Sequence, residues 1–166
     1  MNLTLRPCQS EDQDFLFRLY VDTRAQEFAA MGWDQNQLDV FLRMQFNAQQ
    51  RWYEMAYSAA DHHIICADGE AIGRIMVLRK PEQNLLVDIA LLPERRNQGL
   101  GARLLEELIA ESDQAGRPVN LQVLKTNPAL HLYQRLGFVQ TGEDQMYFQM
   151  ERAAAGQSGL GNCVIW

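Results

Sequence analysis

Leu85-Leu86-Val87-Asp88-Ile89-Ala90-Leu91-Leu92-Pro93-Glu94-Arg95-Arg96-Asn97-Gln98-Gly99-Leu100-Gly101 is the stretch that decides the fold. Its first eight residues are apolar except for Asp88, and Pro93 ends the run, so they read as a buried central strand. After the loop, Leu104, Leu105, Leu108 and Ile109 recur at helical spacing, and Gly116 is a C-terminal stop. The centre of the protein is therefore strand, glycine loop, helix. Glycine lets backbone approach a ligand closely. A helix start leaves N–H groups without intrahelical partners and adds a dipole that favours an anion. Residues 96–101 can thus cradle a pyrophosphate, or form only a tight turn.

Downstream, Val119, Leu121 and Val123 alternate with Asn120 and Gln122 as the next strand. Asn127 caps a helix with Pro128 at its first position. That helix carries Ala129, Leu132, Tyr133 and Leu136 and ends at Gly137. A last hairpin pairs residues 138–141 with residues 146–150.

Upstream, residues 3–6 form a strand, and Ser10 caps a helix that runs from Glu11 to Phe28. Gly32-Trp33-Asp34 breaks it, and a second helix spans residues 35–57. The apolar stripe read for that helix is Leu38, Phe41, Leu42, Gln45, Ala48 and Trp52. Gln45 and Gln49 interrupt or flank that face, and either line a polar pocket or are simply boundary residues of the apolar face. Residues 63–67 and 71–78 read as strands joined through Asp68-Gly69, a two-residue turn that demands positive φ. The order β-α-α-β-β-β-α-β-α-β-β predicts an α/β (α+β) fold with a mixed, mostly antiparallel central sheet flanked by helices.

The length of 166 residues suggests one domain, expected over residues 1–152, followed by a Gly/Ala-rich tail over residues 153–166. The tail ends in Cys163-Val164-Ile165-Trp166 and is either flexible or docked through that apolar end. A chain this long buries about two-thirds of its unfolded surface and needs no staple. Fifteen basic against twenty-one acidic residues give a net charge of −6, which argues against a nucleic-acid partner. No apolar run reaches the ~20 residues of a membrane span, and the N-terminus does not read as a secretory signal. Cys8, Cys66 and Cys163 have no C-x-x-C spacing, so the expectation is a reducing cytoplasm and small buried apolar side chains.

Several site motifs are absent. A third dinucleotide-loop glycine would stand where Leu104 is, and Gly-Lys for a Walker loop occurs nowhere. H-E-x-x-H is missing and His62-His63 are adjacent, so no metal is expected. There is no Gly-x-Ser-x-Gly elbow. Two segments in order, residues 91–101 and Asn127-Pro128-Ala129-Leu130-His131-Leu132-Tyr133-Gln134-Arg135-Leu136-Gly137-Phe138, resemble the loop and helix motifs of the GNAT superfamily of acyl-CoA-dependent N-acetyltransferases. The resemblance covers roughly residues 3–151.

The resemblance implies acetyl-CoA as cofactor and a primary amine of a small molecule or amino-acid derivative as acceptor, and it allows a homodimer. It places the coenzyme A pyrophosphate on the backbone of Arg96, Asn97, Gln98, Gly99, Leu100, Gly101 and Ala102. It pairs the backbone of Ala90 and Leu91 with the pantetheine arm and thioester carbonyl, where an amide donor would stabilise a developing oxyanion. Asn127 would touch the cofactor arm, and Tyr133 would sit by the sulfur and protonate the leaving thiolate. A phenol suits that task because its ordinary pKa exceeds that of a thiol. Asp88 is the candidate base, or else pairs with an arginine or faces a solvated edge; Glu27 is the second candidate. The implied acceptor groove holds Phe28, Met31, Trp33, Gln45, Gln49, Trp52, Tyr53 and Tyr147. The rival readings are a non-catalytic acyl-CoA sensor of the same fold and an enzyme that uses the glycine loop for a nucleotide phosphate.

Overall fold

The structure, a computed structural model, describes residues 1–155, apart from the side chain of Gln26. Seven strands and four helices follow one another as β1 (Leu3–Pro7), α1 (Gln13–Phe28), α2 (Gln35–Ala56), β2 (Asp61–Ala67), β3 (Glu70–Arg79), β4 (Asn84–Leu91), α3 (Leu100–Ala115), β5 (Val119–Leu124), α4 (Ala129–Arg135), β6 (Val139–Glu143) and β7 (Tyr147–Arg152). The strands form one sheet in the order β1-β2-β3-β4-β5-β7-β6. It is mixed because β4, α3 and β5 make one crossover, which leaves β4 and β5 parallel, as Asn84↔Val119 and Leu86↔Leu121 show. The chain divides into two compact units, one of Met1–Met76 with Asp88–Gln98 and the other of Val77–Val87 with the described residues from Gly99 on.

In the first unit, β1 pairs antiparallel with β2 from Leu3↔Ala67 to Pro7↔His63. The β2–β3 turn works because Asp68 and Gly69 take φ of 49° and 84°, the left-handed geometry that short polar residues and glycine tolerate. Gln9, not Ser10, caps the first helical turn: the Gln9 N–H donates to Asp12 Oδ2 at 2.8 Å, and Arg6 clamps both Asp12 oxygens at 2.8 and 2.9 Å. Residues 10–12 consequently form a 3-10 turn, and α1 begins at Gln13. Asp34 caps α2 and exchanges hydrogen bonds with Gln37. Leu16, Tyr20, Leu42, Phe46, Ile64 and Cys66 close the core beneath these helices. This corrects the apolar stripe read for α2: Leu42 and Phe46 face the core, whereas Ala48 and Trp52 are exposed. Steps of 100° turn both of the latter well away from the Leu42–Phe46 direction.

In the second unit, α3 buries Leu104, Leu105, Leu108, Ile109 and Ser112 and stops at Gly116, whose φ is 69°. Ser112 accepts a 2.9 Å hydrogen bond from the fully buried Asn84 amide and donates to the Leu108 carbonyl at 2.8 Å. Strand β7 pairs antiparallel with both β5 and β6, and β6 is irregular between Gln140 and Gly142. Only the N-terminal end of the expected tail is described. Ala154 is buried, and the Ala155 N–H donates to Asp113 Oδ1 at 2.9 Å. Residues 156–166, with Cys163 and the apolar end, lie outside the described residues. Cys66 is buried as expected and Cys8 half-buried.

Strand β4 is less covered than its composition suggests. Asn84 and Leu86 are buried, while Leu85 and residues 87–91 are only half-buried. A strand can be central in hydrogen bonding while its faces stay partly open, because burial depends on what lies over the faces. Among the described residues no helix is long and apolar enough to cross a membrane.

Candidate functional site

The loop after β4 is built for open backbone. Leu92 is buried, Pro93–Arg95 form a 3-10 turn, and the Arg95 N–H closes it on the Leu92 carbonyl at 2.9 Å. Asn97 and Gly99 take φ of 61° and 78°. Two left-handed residues within three positions reverse the chain and present its backbone outward, and residues 96–99 are exposed. A side-chain carbon on Gly99 would meet nothing within 4 Å, so backbone conformation rather than crowding asks for glycine there. The Arg103 N–H donates to the Gly99 carbonyl at 3.1 Å, so Leu100, Gly101 and Ala102 form the first turn of α3, where N–H groups have no intrahelical partner. Two side chains brace the loop: Arg96 Nε donates to the Leu91 carbonyl at 3.2 Å, and Gln98 Nε2 to the Glu94 carbonyl at 3.1 Å. Gly73 on β3 packs so closely on Ala90 that any side chain there would strike the Ala90 carbonyl and Leu91.

Asp88 sits on β4 in a dense polar cluster. Its Oδ2 accepts from Arg74 Nε at 3.0 Å and from the Tyr53 hydroxyl at 3.2 Å, and lies 2.7 Å from Arg74 Nη2 in an ion pair. The Arg74 residue, only 4% exposed, also donates to Gln49 Oε1 at 2.8 Å and Gln50 Oε1 at 3.4 Å and lies 5.1 Å over the Tyr53 ring. Of the two alternatives to a basic role that sequence offered for Asp88, the arginine pairing is present. Burial and the neighbouring Asp88 charge push the Tyr53 phenol well above its ordinary value. Arg74, Gln50 and Tyr53 complete this cluster, and sequence reasoning gave none of them its part in it. The available signal was the lone charge inside the apolar run of residues 71–78.

A cavity of about 290 Å3 opens beside this cluster, lined by Gln13, Gln50, Tyr53, Tyr57, His62 and Met76 among others. Its walls are mostly polar or aromatic. Among the described residues, His62 Nε2 is buried there without a hydrogen-bond partner. Burial first, and the Arg74 charge second, push His62 down to about 4. Folded His62 therefore stays neutral where an unfolded one, near 6.5, takes up a proton. Its contribution is complete above pH 6.5 and is lost as pH falls through 6.5 towards 4. With half of the group still reached by solvent, the loss is about 1–2 kcal/mol. We expect chemical denaturation of His62→Phe to lack this part of the acid destabilisation. A mutant that loses as much stability as wild type between pH 6.5 and 4 rules the effect out.

The other sequence-predicted residues are placed as follows. Gln49 joins the Arg74–Asp88 cluster, whereas Gln45 accepts from the Tyr20 hydroxyl at 3.4 Å. Trp33 stacks on Phe28 and meets the Phe41 ring edge-on at 5.0 Å. Met31, Trp52 and Glu27 are exposed. In the second unit, Asn127 and Tyr147 flank the end of β5. The Asn127 N–H donates to the Leu124 carbonyl at 2.9 Å, and Tyr147 pairs with Leu124 across the sheet. Pro128, not Asn127, is the N-cap of α4, which begins at Ala129; Asn127 Oδ1 accepts from the Ala129 N–H at 2.9 Å just ahead of it. Tyr133 is buried on α4 with its ring edge-on to Phe138 at 5.7 Å.

Residues 59–140 match the family model described as acetyltransferase (GNAT) domain. The fold is similar to the PaiA N-acetyltransferase of Thermoplasma acidophilum in complex with coenzyme A, with a TM-score of 0.70 and 19% identity over 92% of this chain and 99% of that one. An acetyltransferase from Thermus thermophilus matches with a TM-score of 0.66 and 19% identity, covering 92% and 97% of the two chains. The ribosomal-protein-S18-alanine N-acetyltransferase of Escherichia coli matches with a TM-score of 0.62 and 19% identity, covering 92% and 94%.

Proposed function

We propose that the protein moves an acetyl group from acetyl-CoA to a primary amine of a small molecule or amino-acid derivative, a reading supported by the match of residues 59–140 to the acetyltransferase (GNAT) domain. The observation that carries this reading is the open loop of residues 96–102, with left-handed Asn97 and Gly99 leading into the first turn of α3. Outward backbone, free N–H groups and a helix dipole suit a pyrophosphate and need no metal. Acetyl-CoA supplies an activated thioester. Residues 96–102 hold its pyrophosphate, the backbone of Ala90 and Leu91 orients the arm, and Asn127 supports it. The amine forms the new C–N bond as the C–S bond breaks. Tyr133 gives a proton to the leaving thiolate, and Asp88 takes the proton lost from the amine, with Glu27 as the second candidate. Holding amine and thioester together provides much of the rate. Trp33, Gln45, Gln49 and Tyr147 are the residues proposed to meet the acceptor, and a reducing cytoplasm is the proposed setting.

One observation favours the second reading, a sensor that holds acyl-CoA without turnover: Asp88 is already committed to Arg74 and Tyr53. Thermal unfolding separates the possibilities, with ATP and NAD as controls. A ligand at 100 times its dissociation constant stabilises by about 2.7 kcal/mol, a shift of several degrees for a domain of this size. Acetyl-CoA alone is expected to raise the Tm. A rise with ATP or NAD instead overturns the reading, and binding without thiol release across an amine panel leaves the sensor.

A further inference from the structure

The cavity beside His62 lies within the first unit and plays no part in the proposed acetyl transfer. Of the residues implied for the acceptor groove, only Tyr53 lines it. It also stands away from the glycine loop. Where β4 gives way to that loop, the Leu92 N–H donates to the Ile72 carbonyl at 2.9 Å. Met76 is four residues further along β3, roughly 13 Å from that point. Counted from the Asp68-Gly69 turn, Met76 and His62 both lie at the open end of the β2–β3 hairpin. Tyr53 and Tyr57 give the cavity two aromatic walls, with ring centroids 6.2 Å apart and planes tilted by 60°, and the buried Met76 adds a thioether. The Tyr53 hydroxyl and the Gln50 amide are already engaged: the first donates to Asp88, and the second donates to Gln13 at 3.2 Å and accepts from Arg74. His62 Nε2 is not, and a buried polar atom left unmet costs free energy that a ligand can return.

We propose that this cavity binds a small neutral phenolic ligand, its ring between Tyr53 and Tyr57 and its hydroxyl on His62 Nε2. Charge selects against the other classes. No lysine or arginine lines the cavity, and the exposed Glu54 carboxylate stands on its rim, so carboxylates and phosphates are repelled. An ammonium fares no better at depth. The burial and the Arg74 charge that keep the His62 imidazole neutral act on any cation beside it, and Asp88 offsets them only in part. A hydroxyl can donate to an imidazole nitrogen or accept from it, so it serves either tautomer of His62. The aromatic walls favour a flat ring over an aliphatic alcohol. A volume of about 290 Å3 is at the lower edge of ligand pockets and suits a single-ring compound.

Titration of the full chain with phenol tests this without any assay of activity, so its outcome is independent of the acetyltransferase reading. Phenol is expected to bind with a dissociation constant of about 1 mM, which a ligand of so few atoms allows. Binding should shift the imidazole nitrogen resonances of His62, identified by their loss in His62→Phe. Toluene keeps the ring but lacks the hydroxyl and should bind about tenfold more weakly. Benzoate and benzylammonium should be weaker by about tenfold or more. His62→Phe should weaken phenol by about tenfold and remove its preference over toluene. Ala60→Phe, which fills the cavity from its half-buried wall, should abolish binding of both while the chain still unfolds cooperatively. Phenol that fails to bind wild type at about ten times the expected dissociation constant overturns the proposal. So does phenol binding that His62→Phe leaves unchanged or that survives in folded Ala60→Phe, or a charged analogue that binds as tightly as phenol.

Discussion

Tyr133→Phe is expected to leave stabilisation by acetyl-CoA intact and to lower the rate of thiol release by ~10² to 10⁴-fold. The substitution is a narrow one. The Tyr133 ring is buried against Phe138, and Phe keeps that edge-on contact. The backbone is likewise unaffected: the Tyr133 carbonyl still accepts from the Leu136 and Phe138 N–H groups at 3.1 and 3.0 Å and shapes the turn into β6. Only the hydroxyl is removed. A general acid acts after both substrates are in place, so kcat should fall far more than the affinity for acetyl-CoA. If turnover is unchanged, Tyr133 is a packing residue and the thiolate finds its proton elsewhere.

The second large effect is on stability. Arg74→Met should cost about 3 kcal/mol, because it leaves the half-buried Asp88 carboxylate with only the Tyr53 hydroxyl to neutralise it and the Gln49 side chain without its donor. For a chain of this length, that is a fall in Tm on the order of 10 °C. Arg74→Met combined with Asp88→Leu should recover most of the loss, since replacing both members of a buried pair with apolar groups leaves no uncompensated charge. Equal destabilisation in the single and double variants would show that packing of the arginine stem, not the ion pair, is what matters. Asp88→Asn separates structure from chemistry. It keeps the shape of the cluster, so a pH–rate profile identical to wild type would remove Asp88 as the base.

Local chemistry settled much of this molecule at the level of sequence. Asp68-Gly69 could only be a tight turn because both positions take positive φ, and Gly116 ends α3 for the same reason. Pro93 and the two glycines after it separate β4 from α3, since proline cannot extend the ladder and the loop needs a left-handed residue. The open glycine loop before α3 was legible because its features are all backbone features of one short segment. Side-chain partnerships across distant segments were not legible. Arg74 and Asp88 stand 14 positions apart on neighbouring strands, and Gln49, Gln50 and Tyr53 reach them from α2. Nothing local fixes such a set, because each member is only a polar residue beside apolar ones until the strands pair and the helix docks. The same holds for α2, where spacing alone assigned Trp52 to the core. Periodicity reports that a helix has apolar residues on a face, but which face is covered depends on the surface the helix meets. Turns and caps were settled within a few residues of chain; the ion pair, the cavity beside His62 and the covered face of α2 were decided by tertiary packing, where burial and charge pairing first acquire an energy.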